Sequence, residues 1–216
     1  MKYTHLFFDL DGTLVDSGEG IIKGIEYSLK KFGITVEDNS VLRAFIGPPL
    51  VDSFKQHYGF DTEKAVLAIK YYREYYNEIG IKQAYVYDGL VDTLQALKDK
   101  GYVLAVATSK PEVLANRVLE YFGLAKYFDT ISGASLDERL SHKDVILDYA
   151  LKKYGVDRAK CLMIGDRKFD VLGAKANSID CLGVLYGYGD LAEMQKAGAT
   201  YIVKTPTEIS ELLENL

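Results

Sequence analysis

The sequence predicts an α/β protein: a Rossmann-like core built on a parallel sheet, with a small all-helical cap domain inserted into it. Three observations carry this reading. From residue 88 onward, short apolar runs alternate with helical patterns, the order that a parallel sheet with crossover helices requires. Residues 16–86 separate the first strand from the helix leading to the second; they are too many for a loop and carry helical spacing. The first strand ends in FFDLDGTLVDS, residues 7–17, which sets two carboxylates two residues apart at the end of a buried run.

Strands are expected near 4–9, 102–108, 129–133, 160–165, 180–185 and 200–204. Helices are expected near 111–122, 142–154, 168–177 and 190–197, with a closing helix near 206–215. SKPE at 109–112 starts a helix, since Pro111 suits a first turn and Glu112 is favoured beside the positive end of the helix dipole. In the inserted segment, Ile21, Ile25, Leu29 and Phe32 share one face, and Asp16 with Glu19 is read as a capping box. AVLAIKYYREYYNEIG reads as a second long helix, and GPP at 47–49 breaks the region. The expected division is therefore a core of residues 1–15 and 87–216 around a cap of residues 16–86.

Composition narrows the function. The formal net charge of −5, with no basic run, argues against a nucleic-acid polymer as partner. No apolar run is long enough to span a membrane, and the N-terminus lacks the apolar stretch of a secretion signal. Cys161 and Cys181 lie far apart without a CxxC pattern, as expected for buried free thiols in a reducing cytoplasm. His5, His57 and His142 are scattered and read as unrelated to metal binding.

Ligands of open α/β sheets bind at the carboxyl ends of the strands, and four polar features fall there. They are Asp9 and Asp11, Thr108 and Ser109, Lys143, and Asp166 with Asp170. Like charges about 4 Å apart repel by roughly 4 kcal/mol at an effective dielectric near 20, so the acids ask for a cation between them. Oxygen ligands without His or Cys suit Mg²⁺, which completes its shell with water and substrate phosphate. Thr108, the Ser109 amide and Lys143 are donors, as phosphate oxygens need. Together they make a phosphoryl-transfer site in which Asp9, nearest the rigid end of the strand, is the candidate nucleophile.

DLDGT, the strand-ending Thr108, the isolated Lys143 and GDRKFD at 165–170 resemble, in order and spacing, the four motifs of the haloacid dehalogenase superfamily. The resemblance runs over essentially the whole chain, including a helical cap after the first motif. It implies that Asp9 forms an aspartyl-phosphate and that Asp11 is the acid for the leaving oxygen and then the base for water. It further implies that Thr108 binds phosphate and that Lys143 offsets charge between Asp9 and phosphate. Mg²⁺ would sit on Asp9, the Asp11 carbonyl and Asp166, with Asp170 reaching it directly or through water. One departure is that Asp144 follows Lys143 where many relatives have proline; Lys152 and Lys153 lie farther along the same helix.

GDRKFD, LYGYG and SLDERLSHKDVI look most like the phosphoglycolate-phosphatase-like branch, which also contains 5′-nucleotidases. The expected substrate is a small phosphorylated metabolite. A dehalogenase, a phosphosugar mutase and a non-catalytic phosphometabolite binder are the rivals. Lys110 is similar to a lysine that reaches substrate in that branch, and equally fits an exposed helix start. Arg43 admits a substrate-binding role or a surface one. Tyr71, Tyr72, Tyr75 and Tyr76 fit core packing or stacking on a substrate base. YGYG at 186–189 reads as a glycine-permitted loop.

Overall fold

The computed structural model describes residues 1–136 and 141–216. Of the SLDERLSHKDVI stretch, residues 137–140 lie outside the described residues.

Six parallel strands form the main sheet in the order β5-β4-β1-β6-β7-β8. They are β1 (His5–Phe8), β4 (Val103–Pro111), β5 (Thr130–Ala134), β6 (Cys161–Gly165), β7 (Asp180–Val184) and β8 (Tyr201–Val203). β1 lies between β4 and β6, with Phe8 opposite Val106 on one side and Ile164 on the other. These three strands are covered on both faces, which is why they read as unbroken apolar runs. The two-residue period of a strand sends alternate side chains to opposite layers. Leu6, Phe8, Leu104, Val106, Leu162 and Ile164 join one core, while Phe7, Ala105, Ala107, Cys161 and Met163 join the other. The first core also takes Leu94 of α4 (Leu90–Asp99), Val118 of α5 (Glu112–Tyr121) and Leu213 of α9 (Thr207–Glu214). The second takes Leu147 of α6 (Lys143–Tyr154), Ala174 of α7 (Lys168–Ala176) and Met194 of α8 (Leu191–Ala197). Cys161 and Cys181 are both buried and free.

The chain turns one way from β1 through β4 to β5 and then crosses back to β6, so the point where strand order reverses lies at the C-terminal ends of β1, β4 and β6. Between β1 and the core helices come β2 (Val15–Asp16), α1 (Gly18–Lys30), α2 (Leu50–Tyr58), α3 (Thr62–Tyr76) and β3 (Tyr85–Val86), with short 3₁₀ turns at Asn39–Phe45 and Gly80–Lys82. β2 and β3 pair antiparallel at the two ends of this stretch, so it is not helical throughout. α1 packs on α3 through Ile21, Ile25, Leu29, Ala65, Ala68 and Ile69, and Ser28 Oγ donates to the Ala68 carbonyl at 2.7 Å.

The expected capping box is absent. Ser17 occupies the cap position of α1 without capping it and donates its hydroxyl to Asp11 instead. Asp16 accepts the Gly18 N–H and the hydroxyls of Tyr85 and Tyr188, while Glu19 pairs with Lys23. The Asp16 carboxylate serves several partners around it rather than one helix end.

Candidate active site

β1 delivers Asp9 to the crevice, where the Asp9 N–H donates to the Ile164 carbonyl at 2.9 Å and extends the ladder by one residue. Gly12 follows with φ of +87°, a left-handed conformation that turns the chain back sharply. A side chain on Gly12 would overlap the Asp166 carboxylate, which comes down from the end of β6. Asp166 is buried and accepts the Thr13 hydroxyl at 3.1 Å and the Tyr188 N–H at 2.8 Å. Asp170, in the first turn of α7, accepts the Arg167 N–H at 3.0 Å.

Carboxylate oxygens of Asp9, Asp166 and Asp170 all lie within 4.8 Å of one another, and all three residues are buried. Among the described residues, one lysine answers them. Lys143, the first residue of α6, places Nζ 2.7 Å from Asp9 Oδ1 and 2.8 Å from Asp170 Oδ1, and donates to the Ala107 carbonyl at 3.0 Å. The two carboxylate contacts are close ion pairs without hydrogen-bond geometry, so Asp9 Oδ1 and Asp170 Oδ1 remain buried without a hydrogen bond. Burial works against the charge on Lys143, but Asp170 and Asp9 outweigh it and hold the ammonium above its ordinary range. Burial, then Asp170 and Asp9, drive the Asp166 carboxyl well above the carboxylate range. Burial pushes Asp170 up to about 6, with Lys143 opposing and Asp9 adding. Among the described residues, three clustered acids with one lysine paired to two of them are short of positive charge. An all-oxygen donor set with two buried oxygens that lack a hydrogen bond therefore fits a hard divalent cation.

Asp11 points elsewhere. Its carboxylate accepts both Lys110 Nζ contacts, at 2.8 and 2.7 Å, and the Ser17 hydroxyl at 2.6 Å. Lys110 lies 4.8 Å from the Tyr76 ring centroid and is nearly buried, so of its two readings the exposed helix-start lysine is excluded. Asp9, Asp11, Thr108, Ser109 and Lys110 line one small cavity of about 60 Å³, closed from the other side by Phe45, the Gly47–Pro48–Pro49 bend and α3. Beside it, reached past the same bend and Ser109, lies a wider groove of about 590 Å³ bordered by His57, His142, Lys143 and Phe169.

Of the expected residues, Asp9, Asp166, Asp170 and Lys143 form one cluster, and Asp11, Thr108, Ser109 and Lys110 share the cavity with Asp9. Lys152 and Lys153 are not at the cluster: they bond Asp148 and Ser132. Of the two readings of Arg43, the exposed position on the 3₁₀ turn before the bend fits the surface one: it lines neither space, while Leu42 and Phe45 of that turn are buried. The YGYG loop is more than a permissive turn, since Tyr188 holds Asp166 through its N–H and Asp16 through its hydroxyl. Tyr72 and Tyr76 stack on each other at 5.2 Å and line the cavity, whereas Tyr71 packs on Phe32 and Tyr75 on Tyr27. Sequence reasoning missed Arg73, which lines the cavity from α3 and donates to the Leu136 carbonyl at 3.1 Å. The signal was a lone cation inside the tyrosine run YYREYY.

Carboxylates, a lysine and the hydroxyls of Thr108 and Ser109 gather at the reversal point of a parallel sheet, where such sheets bind ligands, an arrangement suited to phosphate esters. The chain belongs to the haloacid dehalogenase-like hydrolase family, whose model matches residues 6–184. It is 39% identical over 215 residues to a 5′-nucleotidase of Pseudomonas aeruginosa, covering 100% of this chain and 97% of that one. It is 29% identical over 218 residues to a phosphoglycolate phosphatase of Colwellia psychrerythraea, covering 94% of each. A crystal structure described as a predicted phosphatase from Clostridium acetobutylicum superposes with a TM-score of 0.98 at 48% identity, covering 100% of both chains. Among the described residues, no helix is long and apolar enough to cross a membrane.

Proposed function

We propose that this enzyme is a Mg²⁺-dependent phosphomonoesterase acting through an aspartyl-phosphate on Asp9. In this reading residues 16–86 act as a cap over a core of residues 1–15 and 87–216. The observation that carries the reading is the buried trio Asp9, Asp166 and Asp170, with Lys143 paired to Asp9 and Asp170. Asp9, Asp166, Asp170 and the Asp11 carbonyl would hold the cation, which when bound would offset the charge of the carboxylates and of the phosphate oxygens. Thr108 and the Ser109 N–H donate to the phosphate oxygens, and Lys143 holds Asp9 in place. An Asp9 oxygen forms a bond to phosphorus as the ester oxygen leaves with a proton from Asp11. Asp11 then takes a proton from the water that attacks phosphorus, which frees Asp9 and releases phosphate.

The substrate favoured by this reading is a small phosphorylated metabolite of the phosphoglycolate type. The cavity next to Asp9 and Asp11 is narrow and carries Lys110 and Arg73, which suit a short leaving group with a second anionic end. Hydrolysis of 5′-nucleotides is the second reading, favoured by the 39% identity to a 5′-nucleotidase and by the wider groove, which has room for a nucleoside. The test is phosphate release from phosphoglycolate, nucleoside monophosphates and sugar phosphates, with Mg²⁺ and with excess chelator. Turnover that persists in chelator overturns the metal assignment. A sugar product that keeps its phosphate would identify a mutase.

A further inference from the structure

Arg167 follows Asp166 directly and makes contacts in three directions. Its N–H donates to Asp170 Oδ2 at 3.0 Å, within the carboxylate cluster. Its guanidinium reaches the inserted helical segment, where Nη1 donates to the Ile46 carbonyl. Nε donates to Glu193 Oε1 of α8 at 2.9 Å, and the same oxygen accepts the Lys168 N–H at 2.8 Å, so Glu193 fixes the arginine from behind. The bend that follows Ile46 rests on this side chain. Gly47 has φ of +109°, and a Cβ there would stand 3.2 Å from Arg167 Cγ. The Gly47–Pro48–Pro49 bend is also the wall common to the small cavity and the wide groove.

We propose that Arg167 is a positioning residue whose side chain clasps the Gly47–Pro49 bend onto the Asp166–Asp170 turn, so that cap closure depends on that side chain while its backbone N–H holds Asp170. The planar guanidinium is suited to this because its separate N–H groups serve a carbonyl and a carboxylate at once, whereas lysine offers one point charge. The inference rests on the reading of residues 16–86 as a cap and of Asp170 as a metal-site acid.

The test compares wild type, Arg167→Gln and Arg167→Lys by amide hydrogen exchange in metal-free protein, by the Mg²⁺-induced shift in Tm, and by kinetics on p-nitrophenyl phosphate. Arg167→Gln should speed exchange over residues 44–50 by about tenfold, the worth of one hydrogen bond to a charged group, and leave β1 and β6 unchanged. KM should rise by about tenfold with kcat changed far less, the Mg²⁺ shift should persist, and Arg167→Lys should recover part of the loss. Unchanged exchange over 44–50 overturns the clasp, as does exchange accelerated equally throughout the chain. Loss of the Mg²⁺ shift with exchange unchanged would mean that Arg167 serves only Asp170, which also overturns it. If Arg167→Gln does not fold, Glu193→Gln should give the same local pattern in weaker form, and no local change there counts against the proposal. A wild-type protein that leaves p-nitrophenyl phosphate intact would tell against the proposed function, while the exchange measurements would still decide the clasp.

Discussion

Lys110 Nζ grips both carboxylate oxygens of Asp11, at 2.8 and 2.7 Å, so the second acid of DLDGT faces a lysine and not the neighbouring carboxylates. To donate a proton to a leaving oxygen, Asp11 has to give up this partner. Asp11 and Lys110 both line the cavity beside Asp9.

Asp11→Asn should therefore cut cleavage of an alkyl phosphate by about 10²–10⁴-fold, the usual worth of general acid–base help. Loss on p-nitrophenyl phosphate should be smaller, because nitrophenolate leaves without a proton. Single-turnover phosphorylation of the enzyme measures both, and equal losses would remove the acid role. The same variant should lose about 3 kcal/mol of stability, because a buried Lys110 is left without its counter-charge. Chemical denaturation reads that loss.

Asp9→Asn should abolish turnover and leave the fold intact, since the amide has nearly the same shape but does not attack phosphorus. In the native protein fluoroberyllate should attach at Asp9. Phosphoryl label trapped on another residue would contradict the mechanism.

Mg²⁺ should raise Tm by binding the folded state, in which Asp9, Asp166 and Asp170 cluster and Lys143 pairs with Asp9 and Asp170, and Asp166→Asn should remove most of that shift. Thermal denaturation with and without chelator is the measurement. A full shift in Asp166→Asn would place the ion elsewhere.

In metal-free protein the same cluster gives a pH dependence. Asp170 is pushed up to about 6 by burial, with Asp9 adding and Lys143 opposing, and Asp166 is raised in the same direction. An unfolded aspartate releases its proton near pH ~4. The folded state thus binds more protons between these values, so this contribution is full below about pH 4 and lost as pH rises to about 6. Between pH 4.5 and 6.5 in chelator, wild type should lose stability relative to Asp170→Asn, which cannot titrate; parallel curves would contradict the assignment.

Arg73→Ala should raise KM for phosphoglycolate by about tenfold, the effect of losing one charge-assisted hydrogen bond, and alter p-nitrophenyl phosphate much less. Equal effects on both would make Arg73 a structural link between α3 and residue Leu136, through its bond to the Leu136 carbonyl.

The sequence by itself determined the sheet and the acids. Strands buried on both faces carry unbroken apolar runs, and helices carry a 3.6-residue period, so β1, β4 to β8 and their helices were visible in local pattern. Asp9, Asp166 and Asp170 were legible because strand ends lie at one edge of a parallel sheet whatever fills the rest. Tertiary structure alone decided which partner each polar group took. Asp16 looked like a helix cap because capping is a local rule, but Tyr85 and Tyr188 arrive from residues far along the chain. Arg43 and Arg73 were alike as arginines on helical segments; only the packing of α3 over the crevice brought Arg73 to the cavity and left Arg43 exposed. Asp11 took Lys110, and Arg167 took Ile46, for the same reason: hydrogen bonds and ion pairs act over a few ångströms in space and leave no period in the sequence.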